Sequence, residues 1–98
     1  MSQTRITQAQ LVNAVALLND VAKLPAEPWT DGKANIGNYH LSRAYGGNIL
    51  HEMTNTSGAC RDTFRCGYIP ARELFYRIHA FLDGILEGYR ISARKDDE

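Results

Sequence analysis

The sequence predicts an α+β fold in which an N-terminal helix, a short antiparallel β-meander and a C-terminal helix packed on the sheet follow in the order α–β–β–β–α. Three observations carry this expectation. A capping signal at Thr7 and Gln10 opens an apolar stripe of helical period. From Asn38 to Tyr68 that period disappears, and short alternating runs are separated by Gly- and Asn-rich turns. After Pro70 the helical period returns and persists to Tyr89.

In the first element, the Thr7 hydroxyl and the Gln10 amide can satisfy N–H groups that a helix start leaves orphaned. Leu11, Val15, Leu18 and Ala22 recur at i, i+4, i+7 and i+11, with Val12, Leu17 and Val21 widening the stripe. Asn13, Asn19 and Lys23 fall on its solvent side. Leu24-Pro25 ends it, because the residue before proline is pushed out of the helical region. Residues 25–38 read as a connector rich in turn chemistry, with Trp29 anchoring the loop against the core rather than stacking on a ligand.

Residues 39–44 alternate as a first strand, and Tyr45-Gly46-Gly47-Asn48 supplies a turn. Residues 49–53 form a second strand, although the run is short enough for a helical turn as well. Asn55-Thr56-Ser57-Gly58 breaks it, and residues 59–66 read as a third strand. Pro70 fits the first turn of the last helix, where its missing N–H costs nothing. Leu74, Ile78, Phe81, Leu82, Ile85, Leu86 and Tyr89 form that helix's apolar stripe. Gly84 and Gly88 lower its helicity, so packing holds it or a neighbouring chain approaches there. Residues 1–6 and 92–98 are expected to fray.

Ninety-eight residues form a single domain over 1–98. Eleven basic and eleven acidic residues leave a formal charge of zero. Tracking a nucleic-acid backbone calls for uncompensated Lys or Arg on one face, so no nucleic-acid polymer is expected as a partner. No run resembles a signal peptide or approaches membrane-spanning length, which predicts a cytoplasmic protein with no membrane partner. On one continuous strand, Cys60 and Cys66 would lie roughly 20 Å apart, too far for a disulfide, and free thiols are expected. His40, His51 and His79 are scattered, so ligand spacing predicts no metal site, and no cofactor is expected.

Ser42, Ser57, Thr63 and the cysteines sit in no nucleophile elbow or protease signature, and Glu52 and Asp62 alone define no acid–base pair. The chain is therefore read as a binding protein and not an enzyme. The candidate ligand site is drawn from the turns and the last helix start. Tyr45 precedes a glycine pair that leaves its ring uncovered for stacking. Gly47 and Ser57 shape the turns, and Asn55 offers an amide. Arg72 lies where the helix dipole already favours an anion, so a basic side chain there points to a phosphate. Arg43, Arg61 and Arg65 can extend the same positive face, and Tyr76 follows Arg72 by one helical turn.

The run Asn38-Tyr39-His40-Leu41, Ala44-Tyr45-Gly46-Gly47, Asn55-Thr56-Ser57-Gly58 and Arg72-Glu73-Leu74-Phe75 resembles a group of small phage-encoded proteins. That group carries a Tyr-Gly-Gly turn, an Asn-x-Ser-Gly turn and an Arg-Glu-Leu/Met-Tyr helix start. It is similar to the phage Thoeris anti-defence sponges of the first described type, and the likeness covers roughly residues 38–88. Such proteins sequester cyclic ADP-ribose isomers without cleaving them; some relatives also sequester cyclic di- or trinucleotides at a separate site, and they assemble as dimers or hexamers. The resemblance implies a small cyclic nucleotide ligand and a homo-oligomer in the host cytoplasm. It assigns adenine stacking to Tyr45, a hydrogen bond near the ribose or base to Asn55, and the pyrophosphate to Arg72. Tyr76 departs from the family, which can use a second basic residue there, and Ala59 stands where a second glycine is expected. The rival expectation is a small phage inhibitor that binds a host defence protein, such as a CRISPR complex, through the same exposed residues.

Overall fold

A computed structural model describes residues 5–96. Helix α1 (Gln8–Val21) opens with the capping box its sequence encodes. The Gln10 N–H donates to Thr7 Oγ1 at 3.1 Å, and the Thr7 N–H donates to Gln10 Oε1 at 2.8 Å. The helix closes just before Leu24-Pro25: Lys23 takes φ +61°, and the Leu24 N–H returns to the Asn19 carbonyl at 2.8 Å.

The 25–38 segment is more ordered than a connector. It holds a minimal hairpin, β1 (Trp29–Thr30) and β2 (Lys33–Ala34), closed by Asp31 and Gly32 at φ 51° and 80°. Two successive positive φ values are what a tight hairpin turn needs to match the strand twist. Trp29 does not anchor against the core, as its sequence context suggests. It is half-exposed, and its indole lies over Gly58, where an added Cβ would come within 2.7 Å. With the Ala34 N–H donating to the Thr56 carbonyl at 2.9 Å, it clamps this hairpin to the 55–58 turn.

The expected meander is present as β3 (Tyr39–Ala44), β4 (Gly47–Met53) and β5 (Cys60–Asp62), antiparallel in the order β3-β4-β5. Full register between β3 and β4, from Tyr39↔Glu52 to Ala44↔Gly47, settles residues 49–53 as strand. The third strand stops short of Cys66. The Asp62 carboxylate accepts the Arg65 N–H at 3.0 Å and the Gly67 N–H at 2.7 Å, folding 63–67 back as a loop.

Helix α2 (Ala71–Asp96) follows Pro70, whose carbonyl accepts the Leu74 N–H at 3.1 Å. Residues 92–96, expected to be a frayed end, are helical as the last turn of α2: past Gly88 no Gly or Pro interrupts it. The expected fraying of residues 1–4 and 97–98 lies outside the described residues. Among the described residues, no helix is long and apolar enough to cross a membrane.

Both helices contact each other, α1 also meets β3, and α2 meets β4. The core joins Leu11, Leu18, Leu74 and Ile78 of the helices to Tyr39 and Leu50 of the sheet. Directly opposed residues of adjacent strands share a face, so Tyr39, Leu41 and Leu50 point toward the helices while His40 and His51 point away. Asn19, expected on the wet side, is instead 2% exposed. Its amide donates to the Tyr39 carbonyl and accepts the Tyr39 N–H, both at 2.9 Å. β3 is an edge strand, and this side chain takes the place of a missing neighbour there.

Candidate functional site

The expected ligand residues are distributed over two ends of the sheet. At one end, Tyr45 and Gly46 form the two-residue turn between β3 and β4, with φ 55° and 74°. Asn48 exchanges both backbone hydrogen bonds with Ile69, at 2.7 and 2.8 Å, so the 68–70 segment runs beside the start of β4. Tyr68 and the first turn of α2, with Arg72, therefore lie at the Tyr45 end. Arg43 pairs with Asn48 across the strands and belongs to the same end.

The Tyr45 ring is 95% exposed and meets only the edge of Tyr68, with centroids 5.6 Å apart and planes at 70°. Arg72 is exposed and stacks over the Tyr76 ring at 5.8 Å, a contact that holds the guanidinium without neutralising it. Neither Arg72 nor Arg43 forms an ion pair among the described residues. Gly47 is buried, and a Cβ there would sit 3.0 Å from the Tyr68 carbonyl carbon, so its missing side chain permits a close backbone approach.

Asn55, Ser57 and Arg61 lie toward the far end of β4. A seven-residue strand at ~3.4 Å per residue separates that end from Tyr45 by roughly 20 Å. The Asn55 side-chain oxygen Oδ1 accepts the Ser57 and Ala59 N–H groups at 2.9 and 3.0 Å, so it builds its own turn. Arg61 is engaged by Glu52 at 2.7 Å. The chain thus places Tyr45, Arg43 and Arg72, with Tyr76 beside Arg72, toward one end of the sheet, and Asn55, Ser57 and Arg61 toward the other.

A second constellation was invisible in the sequence. On the sheet face turned from the helices, ligand atoms of His40, His51 and Cys60 all lie within 4.8 Å of one another. The expectation of scattered histidines fails because β-pairing, not sequence spacing, sets the distances: His40 opposes His51, and Met53 opposes Cys60. Only the strand register could have revealed this. Cys60 and Cys66 are both free.

Burial, reinforced by neighbouring His51, pushes the His40 imidazole below its ordinary value. The neutral ring is therefore favoured in the folded state. Its contribution to stability is full above about pH 6.5, the unfolded value, and is lost as pH falls through the lower folded value. The groups facing it are His51, Cys60 and the Asn38 amide. The melting temperature of metal-free protein is expected to fall as pH drops below about 6.5, and His40→Gln should flatten that slope. An unchanged slope in the variant would remove His40 as its source.

Clefts lie elsewhere on the surface. A groove of about 310 Å³ runs between α1 and β3, lined by Val12, Val15, Asn19, Tyr39 and Leu41 among others. A second, about 230 Å³, lies between the helices beside Leu17, Phe75 and His79. Neither lining includes Tyr45, Asn55 or Arg72. Fold and surface together define a small α+β protein with an exposed aromatic and basic end. Compared with known proteins, the chain matches no family model, no curated protein and no solved structure.

Proposed function

We propose that this chain is a phage counter-defence protein that binds and sequesters a cyclic nucleotide immune signal, a cyclic ADP-ribose isomer or a cyclic oligonucleotide, without cleaving it. The observation that carries this reading is Tyr45. Folding alone favours Asn or Gly at a positive-φ turn position, and a bulky side chain there costs on the order of 1 kcal/mol. A ring left 95% exposed recovers almost none of that through burial. A stacking partner from outside the chain accounts for both facts. Arg72, unpaired among the described residues and near the positive end of α2, supplies the phosphate contact.

The separation of Tyr45 from Asn55 supports a shared site in a homo-oligomer, dimer or hexamer, in which the two ends come from different protomers. Leu86, Tyr89 and Ile91 remain exposed on α2 beyond Leu82, the last buried residue among those described, and a Cβ on Gly84 or Gly88 would meet nothing within 4 Å. That surface is available for assembly in the host cytoplasm.

A thermal-shift panel of cyclic ADP-ribose isomers and cyclic oligonucleotides is expected to raise the melting temperature for at least one of them, with the ligand recovered intact after denaturation. Tyr45→Asn should leave stability unchanged or slightly higher. It should weaken binding about ten-fold or more, as loss of a stacking platform worth ~1–3 kcal/mol implies. Arg72→Ala should weaken binding comparably. If no member of the panel shifts the melt, the sponge reading is wrong. Tyr and Arg are also the residues that dominate protein interfaces, and this cluster lies outside the grooves described above. That favours, as the second reading, an inhibitor docking on a host defence protein; Arg72→Ala would then weaken only that protein's binding.

A further inference from the structure

We propose that His40, His51 and Cys60 form a binding site for a thiophilic d10 cation, Zn²⁺ or Cu⁺, that links the three strands of the meander. The three residues come from β3, β4 and β5 in turn, and strand register puts their side chains on one face. His40 Nε2 lies 3.7 Å from Cys60 Sγ. Two ligands of a tetrahedral zinc, with Zn–S near 2.3 Å and Zn–N near 2.0 Å, stand about 3.5 Å apart, so this pair is already near ligation distance. His51 completes a set whose members are all within 4.8 Å, and small rotations about its side-chain bonds close the remaining gap.

The surroundings prepare the site. The Asn38 amide nitrogen donates to the Pro25 carbonyl at 2.7 Å, which orients the amide oxygen. That oxygen is 3.3 Å from His40 Nδ1 and can only accept, so Nδ1 carries the proton and Nε2 presents its lone pair toward Cys60. Asn38 is 1% exposed, a buried polar group whose amide ends are engaged by this arrangement. The Met53 sulfur lies 3.6 Å from Cys60 Sγ, adding a soft donor beside the cysteine sulfur. Asp62 opposes His51 on the same face but lies outside the close trio, its carboxylate turned to the Arg65 and Gly67 N–H groups. Thiolate, two imidazoles and a nearby thioether suit Zn²⁺ or Cu⁺ over Mg²⁺ or Ca²⁺, which take oxygen ligands.

The test is a titration of the full-length, metal-stripped and reduced chain with Co²⁺ as a spectroscopic probe. One equivalent should produce a thiolate-to-cobalt charge-transfer band, and Zn²⁺ should displace it. Cys60→Ser, at an exposed position that need not disturb folding, should abolish the band, whereas Cys66→Ser should keep it. His51→Gln should weaken binding at least ten-fold. A parallel Cu⁺ competition against a chelator decides which ion binds more tightly, and stoichiometric binding of either that requires Cys60 supports the site. Absence of Cys60-dependent binding for both the Co²⁺ probe and Cu⁺, or binding of either that survives Cys60→Ser, would overturn it, whatever the outcome of the nucleotide panel.

Discussion

Replacing Asn19 with leucine is expected to lower the unfolding free energy by about 3 kcal/mol, despite adding apolar character to a buried position. The volumes are similar, so no large cavity contributes. The loss comes from Tyr39, whose N–H and carbonyl both depend on the Asn19 amide at 2.9 Å and have no strand on that side. Each orphaned buried backbone group costs about 1–3 kcal/mol. In a domain of this size that corresponds to a fall in melting temperature of roughly 15 °C. Asn19→Asp should also destabilise, since a carboxylate keeps the acceptor for the N–H but repels the Tyr39 carbonyl. Denaturant unfolding of both variants checks this; wild-type stability in Asn19→Leu would mean that water or a shifted edge strand satisfies Tyr39 instead.

Gly47→Ala is expected to cost about 2 kcal/mol, in the range of overpacking, while Gly46→Asn stays within about 0.5 kcal/mol of wild type. The two glycines are adjacent yet serve different needs. Gly46, at φ +74°, has nothing within 4 Å of a built Cβ, and asparagine tolerates that conformation. A Cβ on Gly47 would meet the Tyr68 carbonyl carbon at 3.0 Å and the Ile69 nitrogen at 3.1 Å. Those are backbone atoms held by the Asn48–Ile69 pair, so they cannot rotate away. The same pair leads into α2, and displacing it would also disturb the placement of Arg72. Equal stabilities for the two variants in equilibrium unfolding would refute this division of roles.

Local features were readable because their physics is local. The Thr7–Gln10 capping box, the tight turn at Tyr45-Gly46 and the stripe of α2 each depend on residues a few positions apart. The candidate site was readable only in part. Tyr45 and Arg72 are exposed and lie near one end, but no sequence pattern indicated that Asn55 and Arg61 stand a strand's length away. Asn19 was misplaced for a related reason. Helical periodicity assigns an amide to solvent, and only the edge strand beside α1 supplies the backbone partner that draws it inward.

By itself, the sequence determined the α+β order, the helix start and the turn positions, since each follows from propensity, capping and hydrophobic period. Tertiary structure alone decided which side chains meet. Strand register, a long-range property, gathered His40, His51 and Cys60 on one face and separated Tyr45 from Asn55. Proximity across a sheet is set by pairing and not by spacing along the chain, so the metal trio became visible only in the fold.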